Sequence, residues 1–189
     1  TPLPDEARSI LQAAWSSPDP LGSNGATAIK EILSNPAYFP SQLHNLARDV
    51  GRLMPASGVK LAFKEGDWSL AGQITLSVPA TLTLYGETGL DVGTFLHEAL
   101  HANVVSRWRS LSIMAGKQGD RGQRQRDRLG ITPAESTAYL QFEHIWEEFR
   151  DASKRDFARM AESDSNYISL QQSRGSLDEF FVRALTDAN

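Results

Sequence analysis

The chain has 189 residues, 40% hydrophobic and 22% charged, with a formal net charge of −4. That describes one medium domain, or one domain with a helical annex, large enough to bury a core without covalent staples. Cysteine is absent, which excludes disulfides, thiolate metal sites and a cysteine nucleophile, so any metal must be held by His, Asp or Glu.

The weak net charge makes no general case for nucleic acid or an anionic membrane. No run of 18 apolar residues offers a membrane span. The first residues, "TPLPDEARSI", lack an initiator Met and the basic-then-apolar layout of a signal peptide. The expectation is a piece of a longer polypeptide whose localisation is unknown.

Residues 1–56 read as a helical segment broken by prolines. "DEARSILQAAW" places Ile10, Leu11, Ala14 and Trp15 on one face, and "SSPDPLGSNG" is a loop. "ATAIKEILSN" predicts a second helix ended by Asn35-Pro36. A third, "QLHNLARDVGRLM", is capped by Ser41, carries His44 and stops at Pro55. The period then changes from that of a helix to two. "GVKLAFKEGD", "GQITLSV" (72–78, with Ile74, Leu76 and Val78 on one face) and "ATLTLYG" (80–86) predict three strands, with Pro79 at a strand end or edge.

From Asp91 to about Leu111 the spacing is again helical: Phe95, Leu96, Ala99, Leu100, Val104 and Trp108. Residues 116–130 have no apolar periodicity and carry five basic against two acidic side chains, which predicts a mobile loop. This basic loop is the one hint of nucleic acid, and such a partner is not expected. "TPAESTAYLQFEHIWEEFRDASKRDFARMAE" predicts one long helix with Thr132 at its N-cap and Pro133 at N1. A polar linker comes next, then a final helix in "SLDEFFVRAL". The expected organisation is an N-terminal helical segment (1–56) packed on a core domain (57–189).

The chemistry concentrates in "GTFLHEALHANVV". Residues four apart on a helix differ by about 40° in azimuth and ~6 Å in height, so His97 and His101 point the same way and can bind one metal. Glu98 lies about 100° round the helix, where a carboxylate can take a proton from water and pass it to a leaving amine. Zn²⁺ suits this arrangement, because it acidifies water and polarises a carbonyl. With four His and eleven Glu in the chain, a chance match to the HExxH pattern has a probability of roughly 0.005. The alternative is a pair of helical histidines of no chemical consequence.

A catalytic zinc needs a third protein ligand and an open position. A third histidine at the HExxHxxGxxH spacing would fall at Arg107, and Val104 stands where that pattern has Gly. The third ligand is therefore a carboxylate, or His144. Glu135 in "TPAE" and Glu179 in "SLDE" each fit a capping box, with Thr132 and Ser176 as caps. The downstream residues separate the two glutamates. "EFFVRAL" is strongly apolar, so its helix packs inward and carries Glu179 toward a core, where a carboxylate needs a cation or several donors.

"TFLHEALHANVV" followed by "DEFFVRAL" resembles zinc metallopeptidases of the zincin fold with a glutamate third ligand. It is similar above all to lethal-factor-like toxin proteases and to metallopeptidase-like domains of large phage polyproteins. The resemblance covers about 72–109 and 167–187. It implies an α+β zincin-like fold, with a small twisted sheet packed on the HExxH helix. His97, His101 and Glu179 would be the zinc ligands and Glu98 the general base. Tyr167 is the nearest candidate to stabilise the oxyanion. The strand "GQITLSV" or "ATLTLYG" would pair with an extended substrate.

The family's second glutamate in the later helix falls at Arg183. The activity implied is zinc-dependent hydrolysis of a protein or peptide by an effector, toxin or phage-encoded module. Such a module would be delivered into a host cell or associated with a virion. The alternative is a non-catalytic zincin scaffold that binds within a large polyprotein.

Overall fold

A computed structural model of the chain describes residues 1–54, 58–66, 69–75, 77, 79–114, 116–117, 119–160 and 167–186. Side chains at 104–106, 109, 167–169, 174 and 178 lie outside this description, so the expected roles of Leu76, Val78 and Val104 in the core and of Tyr167 in the site fall there. The fold is mixed α+β, a small three-stranded sheet with many helices. Its contacts divide the chain into two compact units, Thr1–Ser106 with Leu185–Asn189, and Arg107–Ala184.

The first unit begins with α1 (Asp5–Ser16) and α2 (Ser23–Ser34). Leu11 and Ala14 of α1 are buried, as the spacing predicts, and Trp15 stacks on Phe63 with ring centroids 4.8 Å apart. Asn35 ends α2 with an extended backbone ahead of Pro36. Ser41 does not cap the third helix. A 3₁₀ turn at Ser41–Leu43 precedes α3 (His44–Arg52), which starts with no side-chain cap.

The sheet comes next as β1 (Val59–Lys64), β2 (Gly72–Thr75) and β3 (Ala80–Tyr85), in the order β1-β3-β2. β1 runs parallel to β3, and β2 antiparallel to it. β3 is central, and Leu82, Thr83, Leu84 and Tyr85 are all buried. This strand is therefore covered on both faces, not on the one that alternation alone would bury.

α1 and α2 pack on β1, and one glycine sets how closely. A Cβ on Gly25 would lie 2.0 Å from the Val59 carbonyl oxygen, so the start of α2 rests directly on strand backbone.

After the single turn α4 (Gly86–Gly89), the helix α5 (Val92–Met114) carries the HExxH segment. Asp91 opens it by accepting the Gly93 N–H at 2.8 Å, the bond an N-cap aspartate makes. Phe95, Leu96, Glu98, Ala99, Leu100, His101, Ala102 and Asn103 are all buried. A helix buried on so much of its circumference shows little apolar asymmetry. Asn103 Nδ2 donates to the Val50 carbonyl at 2.8 Å and so ties α5 to α3.

The second unit holds the rest of α5 with α6 (Gly119–Arg128), α7 (Pro133–Ala152), α8 (Lys154–Phe157), α9 (Tyr167–Gly175) and α10 (Leu177–Thr186) as far as Ala184. Its core is Leu111, Met114, Ile131, Tyr139 and Leu177, with Trp108, Phe142 and Trp146 packed against them. The Trp108 ring lies 5.1 Å from Tyr139 and 5.0 Å from Phe181, within the range of favourable aromatic pairing.

Three expectations for this unit are corrected. Residues 116–130 are not a loop, because 119–128 form α6. The only buried residue of α6 is Gly122, whose Cβ would stand 2.8 Å from the Lys117 carbonyl, so the helix has a contact face without an apolar stripe. Arg126 fastens it by donating to the Met114 and Lys117 carbonyls. The long helix from Pro133 breaks at Ser153, whose hydroxyl and N–H both donate to the Phe149 carbonyl, at 2.6 and 2.9 Å, the local side-chain bond that bends helices. The expected polar linker contains α9, held by a bond from Trp146 Nε1 to the Ser173 carbonyl at 2.8 Å, a main-chain anchor that polarity does not reveal.

Candidate metal centre

His97 and His101 lie one turn apart on α5, with ring centroids 4.8 Å apart and planes inclined at 68°. His97 is half-buried and His101 only 8% exposed. Each can offer one ring nitrogen toward a point that a carboxylate oxygen of half-buried Glu179 also reaches, and the three ligand atoms lie within 4.8 Å of one another. Bonds of about 2.0–2.1 Å place the ligand atoms of a tetrahedral zinc about 3.3 Å apart, so a contraction of roughly 1.5 Å at the widest pair separates this arrangement from a closed site.

The donor set fits the metal that the sequence implies. Two imidazoles and one carboxylate, with a further position for water, suit zinc and its first-row neighbours. Hard cations such as calcium demand more oxygen. His97 Nδ1 lies 3.4 Å from Thr186 Oγ1. With a proton on Nδ1 directed at that hydroxyl, Nε2 becomes the nitrogen left for a cation.

Glu179 is tied to its own helix. Arg183, one turn on, donates from Nε to Glu179 Oε1 at 2.5 Å, and its Nη2 donates to Gln172 Oε1 at 2.5 Å. The Arg183 guanidinium thus bridges Glu179 of α10 and Gln172 of α9. The Glu179 N–H lies 3.5 Å from Ser176 Oγ, too long for a strong cap. Glu179, Arg183 and Thr186 follow i, i+4, i+7 spacing and share one face of α10.

The other carboxylate weighed as a ligand has a different role. Glu135 completes a capping box with Thr132 at the start of α7. Its Oε1 also accepts from both Nε and Nη2 of Arg107, at 2.9 and 2.6 Å. The Thr132 backbone N–H, first, and then Arg107 and the Thr132 hydroxyl hold the Glu135 carboxyl below its ordinary value, against the opposing effect of burial. Arg107, at the position where a third histidine would stand, also donates to the Leu129 and Gly130 carbonyls and so anchors the turn before α7. His144 is exposed and faces Glu148 at 3.4 Å. His44 Nε2 lies 2.9 Å from the Phe39 carbonyl. Neither is part of the cluster.

Glu98 is 8% exposed and meets the edge of the sheet. A Cβ on Gly72 of β2 would lie 2.5 Å from Glu98 Cγ and 2.8 Å from Oε1. The missing side chain at 72 lets strand backbone and carboxylate meet directly. The sequence reading missed Gly72, Thr186 and the bond made by Arg183. Helical spacing from Glu179 points to the last two, whereas Gly72 has no signal beyond being a glycine at a strand start.

Comparison with protein families, with curated proteins and with solved structures finds no match. Among the described residues, no helix is long and apolar enough to cross a membrane.

Proposed function

We propose that this chain is a zincin-like, zinc-dependent endopeptidase, with His97, His101 and Glu179 as metal ligands and Glu98 as general base. The observation that carries the proposal is the meeting of the HExxH histidines with a carboxylate from a helix some 80 residues later. Zinc, when bound, would acidify water and polarise the scissile carbonyl. Glu98 takes the proton from the attacking water and delivers it to the amide nitrogen as the C–N bond breaks, leaving a carboxylate and an amine. Its burial against Gly72 restricts the carboxylate to a narrow range of positions. β2 is an edge strand of the described sheet, and an extended peptide can add to such an edge through main-chain bonds. The substrate is then a protein or peptide, and the setting an effector, toxin or phage-encoded module.

The ion pair between Arg183 and Glu179 favours a second reading, a scaffold that binds without catalysing, because the ligand carboxylate already has a cationic partner. Metal content measured by plasma emission tests the first reading. One zinc per chain is expected in the wild type and in Glu135→Ala, with loss in His101→Ala and in Glu179→Ala. Zinc retained after Glu179→Ala removes the proposed third ligand. Glu98→Gln separates the two readings: it keeps the zinc, and under the enzymatic reading it fails to cleave a random peptide library that the wild type cleaves.

A further inference from the structure

We infer that α6 is a docking surface for an extended acidic segment of a partner protein, and that Arg121, Arg124 and Arg128 are the residues that recognise it. At 100° per residue these three arginines fall within about 60° of azimuth, and all are exposed. None of them has an ion pair or side-chain hydrogen bond among the described residues. Lys117, also exposed, joins Arg121, Gly122 and Gln125 around a shallow cleft of about 320 Å³. The two acids of the helix lie to one side of this stripe, and Asp127 is bonded by Gln123 at 2.8 Å.

Like charges three and four residues apart destabilise a helix, and α6 buries only Gly122 to offset them. The fourth arginine, Arg126, points away from the stripe and is spent on the Met114 and Lys117 carbonyls. The helix therefore separates a structural arginine from three that have no ion pair or side-chain hydrogen bond among the described residues.

Two observations choose the partner. Residues 116–130 contain no aromatic side chain on which a base could stack. The segment carries five basic and two acidic residues, or +3, in a chain of −4, so the remaining residues carry −7. A long polyanion on the stripe meets repulsion from a chain that is net negative elsewhere. A short acidic peptide engages it only locally, within a Debye length of about 8–10 Å. Arg121 to Arg128 spans about 10 Å along the helix. Alternate side chains of an extended peptide recur on one face at about 6.7 Å, so two or three carboxylates match the stripe, and the planar guanidinium forks suit carboxylate recognition.

The test is fluorescence anisotropy with a labelled peptide of alternating glutamate and serine, beside a DNA duplex of equal charge, at rising sodium chloride. Peptide binding is expected at low salt and should weaken as salt rises. The Arg121→Gln/Arg124→Gln/Arg128→Gln variant should weaken it at least about tenfold with helical circular dichroism retained. If the triple variant loses its helix, the single variants take its place, each weakening binding about threefold. His101→Ala should bind the peptide unchanged, which keeps this inference separate from the metal reading. No peptide binding, binding indifferent to the arginines, or tighter binding of the duplex each overturns the inference.

Discussion

Gly72→Ala tests whether the sheet edge is seated on Glu98. The added Cβ would stand 2.5 Å from Glu98 Cγ, 2.9 Å from Cδ and 2.8 Å from Oε1, where ordinary contacts fall at 3.4–4 Å. An overlap of about 1 Å against a side chain that is 8% exposed must move the strand or the carboxylate, at a cost of about 1–3 kcal/mol for overpacking. All three atoms that clash belong to the part of Glu98 that an alanine lacks. In a Glu98→Ala background the same substitution should therefore cost much less, with a coupling of at least about 1 kcal/mol in a double-mutant cycle. Denaturant unfolding supplies the four stabilities, and amide exchange along β3 reports the sheet locally. Under the proposed function, zinc content should not change in Gly72→Ala, because Gly72 meets Glu98 and not the proposed ligands. If Gly72→Ala costs the same with and without the Glu98 side chain, the contact does not constrain the carboxylate, and the account of how the base is positioned fails.

Gly25→Ala should cost about 3 kcal/mol or more, because its Cβ would meet the Val59 carbonyl at 2.0 Å and strand backbone cannot rotate away. Urea unfolding measures this, and a near-neutral result would mean that α2 does not rest on β1. Arg107→Met should cost about 1 kcal/mol, kept small by the exposure of both partners, 39% and 36% at the side chains, and should leave metal content unchanged. Glu135 also predicts a pH dependence. Its folded pKa lies below its ordinary 4.5, so its contribution is complete above that value and is lost as pH falls through the folded pKa. The start of α7 should loosen on acidification below about pH 4.5, and in Glu135→Gln this component of the acid transition should vanish from amide exchange at Ser136 and its neighbours.

Much of the first unit can be read from its sequence because its elements obey simple periods. The apolar positions of α1 recur at helical spacing, and Val59 and Leu61 alternate with half-exposed neighbours along β1. The period fails where burial is nearly complete or nearly absent. β3 and the first half of α5 are covered on most sides, so polarity marks no outer face. At the other extreme, α6 makes its internal contact through a glycine and main-chain bonds to Arg126, which no hydropathy pattern registers. α9 is anchored in a similar way, by a tryptophan donating to a backbone carbonyl. A break such as Ser153 is equally quiet, because serine with its hydroxyl on the carbonyl four residues back also occurs inside a continuing helix, as Ser9 does in α1.

The same contrast explains the site. Two histidines and a glutamate within one turn are a local pattern, and local spacing suffices to identify them. The choice of a proposed third ligand turns on what else each carboxylate holds, and that depends on residues far away in sequence. Glu135 and Glu179 both sit three residues after a capping side chain, so capping alone does not rank them. Glu135 is committed on both sides, to the Thr132 N–H and hydroxyl and to Arg107, 28 residues upstream. To coordinate a metal it would have to give up a helix cap and a two-pronged ion pair together. Glu179 has a long contact to Ser176 Oγ and an ion pair with Arg183 of its own helix, and its carboxylate lies within 4.8 Å of a ring nitrogen of each histidine. The ion pair with Arg183 does not by itself disqualify Glu179 as the proposed ligand, because metal-binding carboxylates are commonly hydrogen-bonded in turn.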